Sequence, residues 1–115
     1  MSAGIHNIEV EQGATFRSHL TWLINSNEVD LTDYSARLKV RKSLRTTPIV
    51  SLTSAAEGGI TLGGVDGSID ITMSATQTAA LNPGKYSYDL ELESSGGEVT
   101  RLLKGSFTVS AEVTY

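Results

Sequence analysis

Three carboxylates lie at alternate positions in the last third of the printed sequence, and we call them the acidic row: Asp89, Glu91 and Glu93. On a β-strand, side chains two residues apart share one face and lie about 7 Å from each other. Two carboxylic acids at such a distance can hydrolyse a glycosidic bond, but they need a cleft and one carboxyl group with a raised pKa. We interpret the acidic row as a solvated strand face that can also meet a basic partner.

The other residue types that could carry chemistry lack partners at useful spacings. His6 and His19 are the only two histidines, whereas metal sites usually need three or four ligands. Gly63, Gly64 and Gly67 lie close together, but a phosphate-binding loop needs a P-loop lysine or a helix directly after its glycines. A strand pattern follows them here, and the chain has neither a Gly-x-Ser-x-Gly elbow nor a cysteine. We therefore predict no catalytic residues, no cofactor and no metal.

Basic residues are concentrated in one short segment, which we call the basic cluster. Five of the nine lysines and arginines fall within it: Arg37, Lys39, Arg41, Lys42 and Arg45. The first three share the outer face of one predicted strand. The cluster is either solvated charge that protects a strand against edge-to-edge aggregation or a docking surface for an acidic partner, including the acidic row of another copy. Nucleic acid is a weaker interpretation, because no aromatic residues interleave the basic ones.

The acidic row belongs to the clearest strand pattern in the sequence. Its polar residues alternate with an apolar set that is typical of a buried strand face: Tyr86, Tyr88, Leu90 and Leu92. Serines and glycines at residues 94–97 favour a hairpin turn. The return strand then points a second set inward: Val99, Leu103, Phe107 and Val109. Arg101 falls among these inward positions, so it either pairs with a carboxylate or lies at an open end of the fold.

Shorter alternating segments recur along the rest of the chain. One of them spans residues 16–24 and points Phe16, Leu20, Trp22 and Ile24 inward. Because large aromatic side chains dominate the energetics of small cores, we expect Trp22 to form the centre of the core. Residues 75–81 lack the period of two and predict a single helical turn, which Ser74 or Thr76 can cap.

These segments predict an all-β fold, an immunoglobulin-like antiparallel β-sandwich of seven to eight strands with one short helical turn near residues 75–81. The run from Leu81 to Tyr86 has the pattern of a tyrosine corner, in which a tyrosine hydroxyl bonds to the backbone upstream. A buried tyrosine with any other partner would explain it nearly as well. We expect a single domain over residues 1–115, with a short N-terminal arm at residues 1–7.

The net charge and the composition of the chain make several classes of partner and location less favourable. The 115 residues carry a net charge of −4 and give a pI near 5.0, whereas general nucleic-acid binders are usually basic. The absence of cysteine excludes a disulfide framework and a thiolate metal site. No segment has the pattern of a signal peptide, and none approaches the roughly 20 apolar residues of a membrane helix. We expect a soluble protein with no membrane partner.

Several segments together resemble a family of short tailed-phage and prophage virion structural proteins with an immunoglobulin-like sandwich. They are also similar to the N-terminal domain of baseplate upper proteins. The segments cover nearly the whole chain: EQGATF at 11–16, LTW at 20–22, VDLTDYSAR at 29–37, GITLGG at 59–64, LNPGKYSYDLEL at 81–92 and VTRLLKG at 99–105. Most of these positions are turn and core residues, so the resemblance indicates the fold more specifically than the function.

The resemblance implies a non-catalytic virion protein, made in the host bacterial cytoplasm, that acts as an adaptor or accessory protein in the tail, baseplate or neck. It would bind other virion structural proteins and form homo-oligomers within the particle, through strand faces, exposed edges and the N-terminal arm. Head decoration is one alternative. A carbohydrate-binding module is another, for which Tyr34, Leu102 and Tyr115 are the side chains expected to be exposed. The resemblance brings no catalytic residues.

Overall fold

The computed structural model describes residues 4–43 and 45–111. Within these residues the chain forms short strands of two to four residues and longer strands of six to twelve. They are β1 (Gly4–Ile5), β2 (Ile8–Glu11), β3 (Phe16–Thr21), β4 (Leu23–Ile24), β5 (Asn27–Glu28), β6 (Ser35–Arg41), β7 (Val50–Thr53), β8 (Ile60–Leu62), β9 (Ser68–Met73), β10 (Gly84–Glu93) and β11 (Val99–Ser110). A 3-10 helix spans Gly64–Asp66 and helix α1 spans Ala75–Ala79.

The longer strands form two sheets around one core. The six-stranded sheet has the order β1-β11-β10-β6-β7, with β2 also paired to β11. The three-stranded sheet has the order β3-β9-β8, and β4 and β5 form a separate small hairpin. Buried apolar side chains of both sheets form a single cluster between them. The fold is therefore all-β, an immunoglobulin-like β-sandwich, as the sequence pattern predicted.

The period of two decides which side chains enter the core. In β10 the apolar set predicted from the sequence is buried, with Leu90 and Leu92 fully so. The facing layer contributes Ile69 and Ile71 of β9, which are 0% and 2% exposed. Removing such surfaces from water provides most of the favourable free energy of folding.

Two local predictions are confirmed at the turns. Ser74 caps α1 through a capping box, in which its hydroxyl accepts from Gln77 N and its backbone N–H donates to Gln77 Oε1. Tyr86 completes the tyrosine corner by donating its hydroxyl to Asn82 O at 2.9 Å. Both contacts fix how the chain enters β10.

The prediction that Trp22 forms the centre of the core is wrong. The chain leaves the three-stranded sheet after Thr21, so the alternation of β3 no longer points into the core. Trp22 is half-buried at this end of the sandwich and packs edge to face against Tyr34, with ring centroids 6.1 Å apart. Ile24 is 46% exposed, contrary to its expected inward position. The largest fully buried side chain is that of Phe107.

The N-terminal segment departs from the expected antiparallel pattern. Strands β1 and β2 both run parallel to β11, with Gly4 opposite Leu103 and Ile8 opposite Phe107. Gly4 and Ile5 of the expected arm thus belong to the sheet, His6 and Asn7 link β1 to β2, and residues 1–3 lie outside the described residues. The hydroxyl of Tyr88 donates to His6 O at 2.5 Å and ties this segment to β10.

Stability should decline at alkaline pH because Tyr88 must stay protonated in the fold. Burial raises the pKa of Tyr88 from 10.0 to about 12, since the phenolate would lose its hydration. A raised pKa in the folded state means that this stabilisation is complete below pH 10 and is lost as pH rises through about 12. We expect the urea midpoint of the wild type to fall more steeply over this range than that of Tyr88→Phe. Equal slopes would exclude Tyr88 as the titrating group.

Candidate interaction surface

The strand order brings the basic cluster and the acidic row together on one side of the six-stranded sheet. Strand β6 pairs directly with β10, although 42 residues separate the end of one from the start of the other. Their antiparallel register sets Arg37 opposite Glu91 and Lys39 opposite Asp89. Opposite charges that face each other across a strand pair attract. Charges that looked like two separate surfaces in the sequence therefore form one.

Arg37 bridges two members of the acidic row. Its Nε donates to Glu91 Oε1 at 2.9 Å and its Nη1 to Glu93 Oε1 at 3.0 Å. The bond to Glu93, followed by that to Glu91, raises the pKa of Arg37 above its ordinary value. Charge-assisted bonds of this kind hold both partners in a fixed geometry. Two of the three acids thus have a basic partner within the same copy.

A β-bulge brings Arg101 to the same surface. Leu90 pairs with Leu103 but the next residue, Glu91, pairs with Arg101, so β11 has one extra residue at Leu102. An extra residue reverses the face on which the following side chains lie. Arg101 is consequently on the outer face, where its Nε lies 3.4 Å from Asp89 Oδ2. The prediction that Arg101 falls among the inward positions is therefore wrong; it pairs with a carboxylate on the outer face instead.

The same bulge turns Val99 outward, where it is 47% exposed. The prediction that Val99 points inward is therefore wrong. Inward residues of β11 have odd numbers after the bulge at Leu102 and even numbers before it. A strict period of two counted back from Phe107 therefore assigns Val99 to the wrong face.

The five residues of the basic cluster do not share one surface. Arg37, Lys39 and Arg41 lie on the outer face of β6, as predicted, and Arg41 Nη1 donates to Thr46 O at 2.9 Å. Lys42 Nζ instead lies 5.3 Å from the ring centroid of Tyr86, in a cation–π contact. Arg45 is exposed in the following loop. The last two residues belong to the end of the sandwich and not to its outer face.

The outer side of β6, β10 and β11 forms a mixed surface with an excess of positive charge, which we call the charged face. It has three acidic residues, those of the acidic row, and six basic residues: Arg37, Lys39, Arg41, Lys85, Arg101 and Lys104. The chain as a whole has a net charge of −4. The surface is therefore opposite in sign to the rest of the molecule.

Asp89 lies at the middle of the charged face. Lys39 is its register partner on β6 and Lys104 its register partner on β11. Both lysines are exposed, and neither has an ion pair within 4 Å among the described residues. Three neighbouring concavities open on this surface and each is lined in part by Asp89. Ile5, 76% exposed, adds an apolar rim beside Lys104.

Sequence reasoning missed three residues of this surface: Lys85, Arg101 and Lys104. The alternation of β10 could have identified Lys85, since it shares the parity of the acidic row. Arg101 and Lys104 differ in parity, so only the bulge at Leu102 places both on the outer face. The sequence contains no clear signal for that bulge.

Other polar groups of the described residues form pairs and not catalytic sets. His19 Nδ1 and Asp70 Oδ1 lie 2.5 Å apart on the outer side of the three-stranded sheet. Among residues 4–43 and 45–111, no group of three or more histidine, aspartate or glutamate side chains could hold a metal ion. In the same part of the chain no helix is long and apolar enough to span a membrane.

Comparisons with known proteins add likenesses of shape only. No family model and no curated protein sequence matches the chain. CopC from Methylosinus trichosporium OB3b is 17% identical, with 94% of this chain and 90% of that chain covered and a TM-score of 0.47. The extracellular domain of the voltage-gated sodium channel beta4 subunit, solved as a parallel homodimer, is 11% identical, with 98% and 97% covered and a TM-score of 0.47.

A further structure of sodium channel beta subunits, from a study of their multimeric cell-adhesive interactions, is 12% identical. It covers 99% of this chain and 98% of that chain with a TM-score of 0.46. With TM-scores below 0.5, these likenesses support neither a function nor a partner for this chain.

Proposed function

We propose that this chain is a non-catalytic structural protein of a tailed-phage virion, an adaptor or accessory protein of the tail, baseplate or neck. It attaches to other virion proteins by protein–protein contacts through the charged face. The observation that supports this contact surface is the concentration of six basic residues on one side of a chain whose net charge is −4. The resemblance of the turn and core segments to phage virion proteins supports the location.

The charged face has the physical features of a specific docking surface. Two hydrogen-bonded ion pairs hold Arg37 in place, so little of its side-chain freedom remains to be lost when a partner binds. Lys39 and Lys104 have no ion pair of their own among the described residues and are the donors available to a partner carboxylate. Complementary charge determines which partner and which register are accepted. The surface therefore fits a partner with an acidic patch.

The carbohydrate-binding alternative has no comparable support in the described residues. Tyr34 is half-buried against Trp22, and Leu102 is half-buried at the bulge. Tyr115 lies outside the described residues. Sugar platforms use exposed aromatic faces, and neither Tyr34 nor Leu102 provides one.

The proposal is tested by replacing the two lysines that flank Asp89. Lys39→Ser with Lys104→Ser should lower the amount of this protein in purified particles by about tenfold, the change that a loss of about 1.4 kcal/mol produces. Particles are prepared from the phage or prophage genome that encodes the chain, and quantitative mass spectrometry compares this protein with the major capsid protein.

A matched control removes the same charge elsewhere. Arg17→Ser with Arg45→Ser changes two exposed basic residues outside the charged face and should leave occupancy unchanged. Urea unfolding of both double variants checks that each remains folded. If wild-type protein is absent from particles, the virion role is overturned. If both double variants reach wild-type occupancy, the charged face is not the contact surface.

A further inference from the structure

The charges of this chain are segregated between the two layers of the sandwich. Residues 18–36 and 54–84 contain no lysine or arginine, and they contain six acidic residues: Glu28, Asp30, Asp33, Glu57, Asp66 and Asp70. These two segments build β4, β5, β8, β9 and most of β3, together with both short helices. Arg17 of β3 is the one basic residue among the described residues of these strands, so the layer that contains the three-stranded sheet is acidic overall, while the outer side of β6, β10 and β11 presents the charged face.

Four of these acids lie at one end of the acidic layer, and we call this end the acidic side: Glu28, Asp30, Asp33 and Asp66, all exposed. Leu31 N donates to Gly64 O at 2.8 Å, which joins the loop of Asp30 and Asp33 to the 3-10 helix that ends at Asp66. Hydrogen bonds from Thr32 lower the pKa of Asp30, and hydrogen bonds from Ser68 lower that of Asp66. These hydrogen bonds favour the ionised form of both carboxylates.

We propose that the charged face of one copy binds the acidic side of a second copy, head to tail. This inference rests on the proposed function, because it names a partner for the same surface. The acidic side is built from the β4–β5 hairpin, a loop and the 3-10 helix, whereas the charged face is the outer side of β6, β10 and β11, so the two are separate surfaces of one copy. Contact between unlike surfaces of identical chains repeats from copy to copy and gives a ring when it closes, or a filament when it does not.

Charge favours this arrangement over a two-fold dimer of charged faces. In such a dimer each of the two facing surfaces would have an excess of positive charge. Like charges brought together across an interface cost several kcal/mol. In the head-to-tail contact, Lys39 and Lys104 of one copy meet carboxylates such as Asp33 and Asp66 of the next. The lysines are exposed donors without an ion pair among the described residues, so no existing pair has to break.

Sedimentation velocity of the full chain tests the inference. In about 10 mM salt, where the Debye length is about 30 Å, the wild type should form species larger than a dimer. In about 1 M salt, where the Debye length is about 3 Å, it should be monomeric. A wild type that remains monomeric in both solutions would overturn the inference.

Two double variants identify the surfaces in contact. Lys39→Ser with Lys104→Ser impairs the charged face, and Asp33→Asn with Asp66→Asn impairs the acidic side. Asparagine keeps an acceptor for Ser68 N at position 66 and tolerates the left-handed backbone at Asp33, where φ is 64°. Each double variant alone should sediment as a monomer in low salt. An equimolar mixture should form a 1:1 dimer and nothing longer, since each variant retains only one working surface.

Two controls keep the charge change and spare the proposed surfaces. Arg17→Ser with Arg45→Ser alters exposed residues away from both surfaces, and Glu9→Gln with Glu11→Gln alters exposed residues of β2, beside β11 but outside the charged face; both double variants should associate as the wild type does. The head-to-tail contact would be overturned if either surface double variant alone associated as the wild type does. It would also be overturned if the equimolar mixture of the two formed species larger than a dimer. If the wild type is monomeric while its particle occupancy still depends on Lys39 and Lys104, only this inference fails and the proposed function stands.

Discussion

Phe107→Ala is expected to lower the free energy of unfolding by about 3–5 kcal/mol, the range measured for truncation of a fully buried aromatic side chain. Phe107 is 1% exposed and contacts Tyr88 edge to face, with ring centroids 6.4 Å apart. Its removal leaves a cavity in the core beneath β11, the strand that pairs with β10 on one side and with β2 on the other. Urea unfolding followed by circular dichroism measures the effect.

Trp22→Ala provides the comparison, because tryptophan is the larger side chain. Trp22 is only half-buried, so we expect its truncation to cost about 2 kcal/mol, the transfer free energy of the part removed from water. Both variants are measured by the same circular dichroism signal, since Trp22 fluorescence is lost in one of them. A greater loss of unfolding free energy for Trp22→Ala than for Phe107→Ala would contradict the assignment of Phe107, and not Trp22, to the centre of the core.

Gly105→Ala is expected to destabilise the fold by about 2 kcal/mol, within the range for inserting a methyl group where no space exists. A Cβ at this position would collide with His6 O and lie 2.9 Å from Asn7 Oδ1. His6 and Asn7 link β1 to β2, and Asn7 Oδ1 accepts from Ser106 N at 3.1 Å. The substitution should push this link away from β11 and break the bond from Tyr88 to His6. Hydrogen exchange should then show lost protection at the His6 amide, which donates to Lys104 O.

Gly96→Ala is the matched control for this substitution. A Cβ at Gly96 would meet only Ser94 Oγ, at 3.9 Å, which is an ordinary contact. The same chemical change in the β10–β11 turn should therefore leave the unfolding midpoint and the His6 amide close to wild type. If Gly105→Ala is as stable as Gly96→Ala and keeps the His6 amide protected, the close approach of the N-terminal segment is wrong.

Local alternation was sufficient to predict the strands and most of the core. The four inward residues of β10 are buried as predicted, because side-chain direction on a strand depends only on parity. The tyrosine corner and the cap of α1 were also predictable, since each depends on residues within four positions of one another. These features require no knowledge of which strands are neighbours.

Features that depend on strand neighbours were not predictable from parity. The bond between Arg37 and Glu91 joins residues 54 positions apart, and only the order of strands in the sheet brings them together. The sequence alone therefore could not show that the basic cluster and the acidic row share one side of the sheet. Arg101 was misplaced because one extra residue in β11 reverses the direction of the side chains before it. Trp22 was misplaced because β3 ends at Thr21, three residues before the hydrophobic pattern ends at Ile24.

The parallel pairing of β1 and β2 with β11 determines when the sheet can be completed during synthesis. Ile8 pairs with Phe107, so β2 cannot join the sheet until residues 99–110 have left the ribosome. Strand β10 also needs β11, its longest neighbour, before both of its edges are paired. Contacts this distant in sequence give a high contact order, for which folding in milliseconds to seconds is typical. The six-stranded sheet is therefore expected to be completed only after β11 has been synthesised.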